Sequence, residues 1–171
     1  TGISNENCHF VKSPVTDQGH LYLTGLDGII YSLDAVYGRV VWKQKLPASP
    51  STALALKDKM LFVGASNNRI YRLNAETGTT VAELPVDAMP VGRITLTADA
   101  LLLFFENRSD RSGYVVSLNP DLTKMQWQQK SSPDWASERP HVWDGLILAG
   151  NCRGDLQTFR VSDGAPQWKL N

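Results

Sequence analysis

The chain has 171 residues, 42% of them apolar and 20% charged, with 17 lysines and arginines against 17 aspartates and glutamates. That is enough chain to bury one good-sized core, and the even charge balance excludes a global field that would draw in nucleic acid or an anionic membrane. The longest near-apolar run, Leu101 to Phe105, is far too short to span a bilayer. The sequence opens on Thr1 without a signal peptide, so it reads as a processed or excised segment. The compartment is left open, with the periplasm or the cell exterior slightly favoured.

Taken in chain order, the sequence repeats itself. The first copy is Ser32-Leu-Asp-Ala-Val-Tyr-Gly-Arg-Val-Val-Trp42, followed by Arg72-Leu-Asn-Ala-Glu-Thr-Gly-Thr-Thr-Val-Ala82. Next come Ser117-Leu-Asn-Pro-Asp-Leu-Thr-Lys-Met-Gln-Trp127 and Thr158-Phe-Arg-Val-Ser-Asp-Gly-Ala-Pro-Gln-Trp168. An apolar position therefore recurs at Leu33, Leu73, Leu118 and Phe159, and a closing position at Trp42, Ala82, Trp127 and Trp168. Both rows step by 40, 45 and 41 residues, and two rows that step together define a repeat. Five residues before each apolar position stand Gly28, Asn68, Gly113 and Gly154, which predicts a tight turn in every copy because glycine and asparagine tolerate positive φ.

Short apolar runs precede those turns: Leu21 to Leu23, Leu61 to Val63, Leu101 to Phe105 and Leu146 to Leu148. A further turn precedes each run, at Asp17 to Gly19, Lys57 to Lys59, Thr97 to Asp99 and Asp144 to Gly145. Each copy thus reads as four short antiparallel strands joined by tight connections. A lone four-stranded meander cannot bury both faces, so twisted copies must stack radially. The fold class is all-β: a β-propeller with blades at about 9–46, 50–86, 91–130 and 139–170, in one domain or fragment. The third copy carries about five extra residues in Glu106 to Ser112, and Ser131 to Ser137 forms a longer link to the fourth.

The pattern small-x-Asp/Asn-x-x-Thr-Gly-x-x-x-Trp resembles the tryptophan-docking motif of the PQQ-like repeat family, which includes quinoprotein alcohol dehydrogenases and the assembly factor BamB. The match runs along essentially the whole chain, with departures at Tyr37, Ala82, Thr123 and Arg160. The resemblance implies that Trp42, Trp127 and Trp168 sit between blades, and that Ala82 leaves a weaker or differently filled joint. It also implies eight blades to a closed ring, whereas four are present. Three arrangements remain open: half of a larger protein whose missing blades lie elsewhere in the parent chain, two copies closing head to tail, or four blades closing alone. Cys8 and Cys152 form either a disulfide or two inert thiols, and a bridge would require the first and last blades to meet. Their spacing does not suit zinc.

Quinoprotein chemistry as the family implies it needs an adjacent cysteine pair, a calcium held by acidic and amide side chains, and an aspartate base. The chain has no Cys-Cys pair, and its acidic residues fall mainly at turns, where carboxylates cap backbone N–H groups. No cofactor, no metal and no catalytic residue is therefore assigned. His9 and His141 start innermost strands and face the channel, as polar lining or as a metal or base pair; His20 falls in a solvated turn. Arg69, Arg108, Arg111 and Arg153 all belong to the second-to-third-strand turns, so four of the nine arginines share one rim. That rim is either solvated or an interface for carboxylate- or phosphate-bearing partners. The expected function is a non-enzymatic scaffold mediating protein–protein interaction, with two alternatives: a BamB-like outer-membrane assembly scaffold and a fragment of a PQQ-dependent dehydrogenase.

Overall fold

A computed structural model describes residues 12–25, 27–110, 112–131, 140–151 and 153–170. Cys8, His9, Arg111, Cys152 and nearly all of the link from Ser131 to Ser137 lie outside the described residues. Sheet one consists of β1 (Val15–Asp17), β2 (His20–Thr24), β3 (Ile29–Asp34) and β4 (Val40–Lys45). Sheet two follows with β5 (Ala55–Lys57), β6 (Met60–Ala65), β7 (Arg69–Asn74) and β8 (Thr80–Pro85). Sheet three holds β9 (Met89–Leu96), β10 (Leu101–Glu106), β11 (Gly113–Leu118) and β12 (Met125–Ser131). Sheet four holds β13 (His141–Trp143), β14 (Leu146–Gly150), β15 (Leu156–Arg160) and β16 (Pro166–Leu170). Each is an antiparallel meander with its strands in chain order, and no helix occurs among the described residues. The architecture is that of an all-β propeller.

Local chemistry dictates the turns. Gln18-Gly19, Asp58-Lys59 and Asp144-Gly145 all take positive φ, the two-residue hairpin geometry that matches the right-handed strand twist. In sheet three the equivalent turn is instead closed by Thr97, whose Oγ1 accepts the N–H of Ala100 at 3.0 Å. Between third and fourth strands, the Asp34 carboxylate accepts the N–H groups of Val36 and Tyr37 at 2.9 and 2.8 Å. Asn74 does the same for Glu76 and Thr77. The glycine row needs a correction: Gly28, Asn68 and Gly154 take positive φ, but Gly113 is the first residue of β11, paired with Glu106 and Ser131. The longer third-copy segment makes its own turn, with Asn107 Oδ1 holding Ser109 and Asp110 Oδ1 holding Ser112.

Strand alternation gives each sheet two faces. The front of sheet one carries Tyr22 and Ile30 against Leu61, Val63, Tyr71 and Leu73 on the back of sheet two. The front of sheet two carries Phe62 and Ile70 against Leu101, Leu103, Phe105, Val116 and Leu118. Sheet three in turn presents Leu102, Phe104 and Val115 to Ile147, Ala149 and Phe159 of sheet four. Both faces of β10 are therefore covered, which accounts for an uninterrupted apolar run in which every side chain is fully buried. The back of sheet one bears Leu23, Tyr31 and Leu33, with Leu21 and Ile29 packed beside them. In all four sheets the register between third and fourth strands shifts at the same place, at Ser32/Leu33, Arg72/Leu73, Ser117/Leu118 and Gln157/Phe159. Such bulges sharpen the local twist.

Candidate functional site

Successive sheets meet at two kinds of junction. At the first, Trp42 on β4 leans across to sheet two, where its indole N–H donates to the Ala75 carbonyl at 2.9 Å. The ring lies flat on Gly78: a Cβ there would come within 2.6 Å of Trp42 Cε3. The third junction repeats this geometry. Trp127 donates to the Val161 carbonyl at 2.9 Å and covers Gly164, where a Cβ would approach to 2.5 Å. Gly78 and Gly164 both have φ of +74°, so glycine serves twice, in the backbone it permits and in the space it leaves.

The second junction has neither partner, because sheet two carries Ala82 and sheet three carries Thr123. Leu122, at φ +56°, is buried there instead, and Ala82, Leu84 and Met125 pack against the same cluster. Arg72 Nη1 reaches the Asp121 carboxylate at 3.4 Å. Two further ties cross it: Lys57 donates to the Thr97 carbonyl at 2.7 Å, and the Gly92 carbonyl accepts the Ala53 N–H at 2.9 Å. Trp168 is half exposed on β16. The register puts Lys169 opposite Gln157, so Trp168 stands on the front of sheet four, and no sheet among the described residues lies beyond it.

The rim is mixed in charge. Arg69 is held by Glu83 at 2.8 Å. Arg108 lines a groove of about 180 Å³ that also contains Asp87 and Glu106, and the Arg153 backbone N–H donates to Asn151 Oδ1 at 3.0 Å. Acidic side chains thus intersperse the arginines.

The histidine expectations also shift. His141 opens β13 and is exposed, whereas His20 is the first residue of β2 rather than a solvated turn residue. Its Nδ1 lies 3.4 Å from Ser32 Oγ, and its ring stacks on Tyr22 at 6.1 Å between centroids. Tyr22 in turn lies 5.9 Å from Trp42. Beside this ladder a pocket of about 230 Å³ is lined by Asp17, Lys59 and Glu76. Burial raises the Tyr22 phenol above its ordinary range, with Asp17 and Glu76 adding to it. Glu76 sits below the usual carboxylate range because Lys59 hydrogen-bonds it at 2.6 Å. Sequence reasoning missed this group, although the i, i+2 spacing of His20 and Tyr22 on a strand is its signal.

Among the described residues no group of three His, Cys, Asp or Glu lies close enough together to hold a metal ion, and no helix is long and apolar enough to cross a membrane. The cofactor set of a quinoprotein does not fit the residues present: the cysteines are far apart in sequence, and Asp34, Asp110 and Asp163 accept backbone N–H groups in turns.

Comparison with known proteins places these features. A family model described as "Outer membrane protein assembly factor BamB" matches residues 8–171. The outer membrane protein assembly factor BamB of Yersinia pestis is 22% identical over 98% of this chain and 45% of its own length. Among solved structures, BamB from Moraxella catarrhalis superposes with a TM-score of 0.74 at 15% identity, over 92% of this chain and 50% of that one. A quinohemoprotein alcohol dehydrogenase from Pseudomonas putida gives a TM-score of 0.76 at 16% identity, over 92% of this chain and 33% of that one. The chain spans about half the length of the BamB proteins it matches.

Proposed function

For a chain that belongs to the outer membrane protein assembly factor BamB family, we propose a non-enzymatic role as a propeller module that binds other proteins in an assembly process. The observation that carries this reading is the family match along residues 8–171. The use of the carboxylates supports it, since Asp34 and Asp110 are hydrogen-bonded within their own turns and held below the usual carboxylate range by those bonds. A general base near neutral pH needs the opposite environment.

The rim at the second-to-third-strand turns supplies the contact surface, with Arg69 at the start of β7 and Arg108 and Arg153 in the turns as its cationic points, and Arg111 joins them by its place in the sequence. Interspersed charges of both signs favour selectivity and encounter rate over raw affinity. The decisive experiment places a photo-reactive residue at each of positions 69, 108 and 153 in cells of the source organism. The expected result is the same protein adduct from all three positions, with the adduct from position 108 lost when Arg69, Arg111 and Arg153 are reversed to glutamate while the melting temperature is unchanged. Failure of every rim position to form an adduct overturns the rim as the contact surface. Saturable binding of pyrroloquinoline quinone in the presence of calcium would overturn the non-enzymatic reading in favour of a dehydrogenase fragment.

A further inference from the structure

The three junctions differ at the end of the sheets where first strands turn into second strands and third into fourth. A slot lies there between neighbouring sheets, and at two of the three junctions an ammonium group of the chain itself enters it. At the first, Lys59 pairs with Glu76 at 2.6 Å, and both line a slot of about 230 Å³ together with Asp17. At the second, Lys57 crosses to sheet three and donates to the Thr97 and Ala98 carbonyls at 2.7 and 2.5 Å. The third junction has no such lysine. Forty residues on from Lys57 and Lys59 stand Thr97 and Asp99, and the slot widens into a cleft of about 800 Å³.

Charge is sorted along this cleft. Its acids come from the first-to-second-strand turns, Asp99 in sheet three and Asp144 in sheet four. Its bases lie further out in each sheet, Lys124 just before β12 and Arg160 at the end of β15. Two strand spacings separate the inner turns from the outer ones, which sets the acidic and basic ends about 10 Å apart. Apolar lining is supplied by Met125, Trp127, Leu146 and Val161. The walls are fixed by their own bonds. Gln126 Oε1 accepts the Ser117 hydroxyl at 2.6 Å and its Nε2 donates to the Asp99 carbonyl at 3.1 Å, while Trp127 is tied to Val161. Among the described residues Asp99, Asp144 and Lys124 make no ion pair, and Arg160 pairs only with Asp163 at the surface.

We propose that this cleft binds a short peptide with free ends. The peptide ammonium lies between Asp99 and Asp144, its carboxylate meets Lys124 and Arg160, and its apolar side chains lie along Met125, Trp127 and Leu146. The bound ammonium takes, at the third junction, the place that Lys59 and Lys57 take at the other two. An extended chain advances about 3.3–3.6 Å per residue, so about three residues span the two charged ends. A preformed cleft with apolar walls and a few placed polar groups is the usual form of a small-ligand site, and a charge-assisted bond at each end selects for length and direction. The cleft opens at the opposite end of the sheets from the second-to-third-strand turns, so it is separate from the arginine rim.

Titration calorimetry of the full chain with the peptide Leu-Ala-Leu tests this. The expected result is saturable one-site binding, weakened about tenfold or more by acetylating the amino end or amidating the carboxyl end of the peptide. Asp99→Asn combined with Asp144→Asn should weaken the free peptide to the same degree and leave the acetylated one unaffected. Lys124→Gln combined with Arg160→Gln should do likewise for the free and the amidated peptide. All four side chains are exposed, so the melting temperature should hold; if it falls, the capped peptides on the unaltered chain still decide. Free leucine, whose charges lie one residue apart, should not compete, and Arg69→Glu should leave binding unchanged. No saturable binding at millimolar peptide overturns the proposal. Capped peptides that bind as tightly as the free one, or substitutions that weaken free and capped peptides alike, overturn it equally.

Discussion

The first and second junctions of this propeller solve one problem with different parts. Both must join twisted sheets whose outer strands splay apart. The first does so with one large side chain: Trp42 spans the gap, bonds a carbonyl of the next sheet and lies on a glycine. The second uses several small devices, with Leu122 buried under the turn, Ala82 and Leu84 beside it, and the Arg72–Asp121 pair at the edge. An inter-sheet tryptophan is thus one half of a two-part lock, and losing one half is compatible with folding when the other half changes as well.

The sharpest way to break this comparison is to remove the occupant. Trp127→Ala takes away a large apolar contact and an N–H donor, and should cost about 3–5 kcal/mol in denaturant unfolding. Ala82→Leu adds volume at a junction without a tryptophan and should have a far smaller effect. A neutral Trp127→Ala would show that the contact with Gly164 does not bear on stability. Next in size is the seat. Gly78→Ala suffers both the positive φ and the indole above it, and about 1–3 kcal/mol is expected. Gly38→Ala has a similar φ and open space, so it should show the backbone penalty alone, roughly 1 kcal/mol. Equal losses at the two glycines would mean that the indole does not press on its seat.

The comparison is sharpened by building a lock where none exists. Ala82→Trp alone should destabilise, because Leu122 and Thr123 occupy the seat, and Thr123→Gly should recover part of the loss. A coupling of about 0.5–3 kcal/mol is expected for residues in direct contact, and purely additive effects would contradict the two-part account. The smallest effect lies in the turns themselves. The N–H groups of Tyr37 and Val36 hold the Asp34 carboxyl below its ordinary value of 3.8. A lowered folded-state value contributes stability above the unfolded value, lost as pH falls through the folded one. Asp34→Asn, which copies Asn74, should therefore keep the turn and slightly flatten the acid side of the stability–pH curve. An unchanged curve would place the acid sensitivity elsewhere.

The sequence made the repeat legible because a four-stranded meander needs its turns and core positions at fixed intervals. Leu33, Leu73, Leu118 and Phe159 accordingly step together and mark equivalent third strands. Features that depend on what lies across a junction were not legible. Trp168 closes its copy with the same Gln-Trp pair as Trp127, yet among the described residues only Trp127 has a sheet to receive it. Gly113 reads as a turn residue by its position, but Asn107 and Asp110 close the longer turn before it. The arginine rim looked cationic in one dimension; in three, Glu83, Asp87 and Glu106 stand among the arginines. Their proximity follows from register and from neighbouring sheets, which local spacing does not encode.

Among the described residues, the strands of each sheet pair only with the strands next to them in the chain, and that order sets the speed and route by which the sheets assemble. The ladders close over short stretches of chain, so each sheet is a low-contact-order unit whose formation carries little loop-closure cost. Adjacent sheets then stabilise one another as nearest neighbours in a linear array, in which a formed sheet templates the next. Hydrogen exchange should resolve this as opening that begins at the terminal sheets and reaches β10, covered on both sides, last. An end sheet that gains a neighbour would exchange as slowly as an inner one.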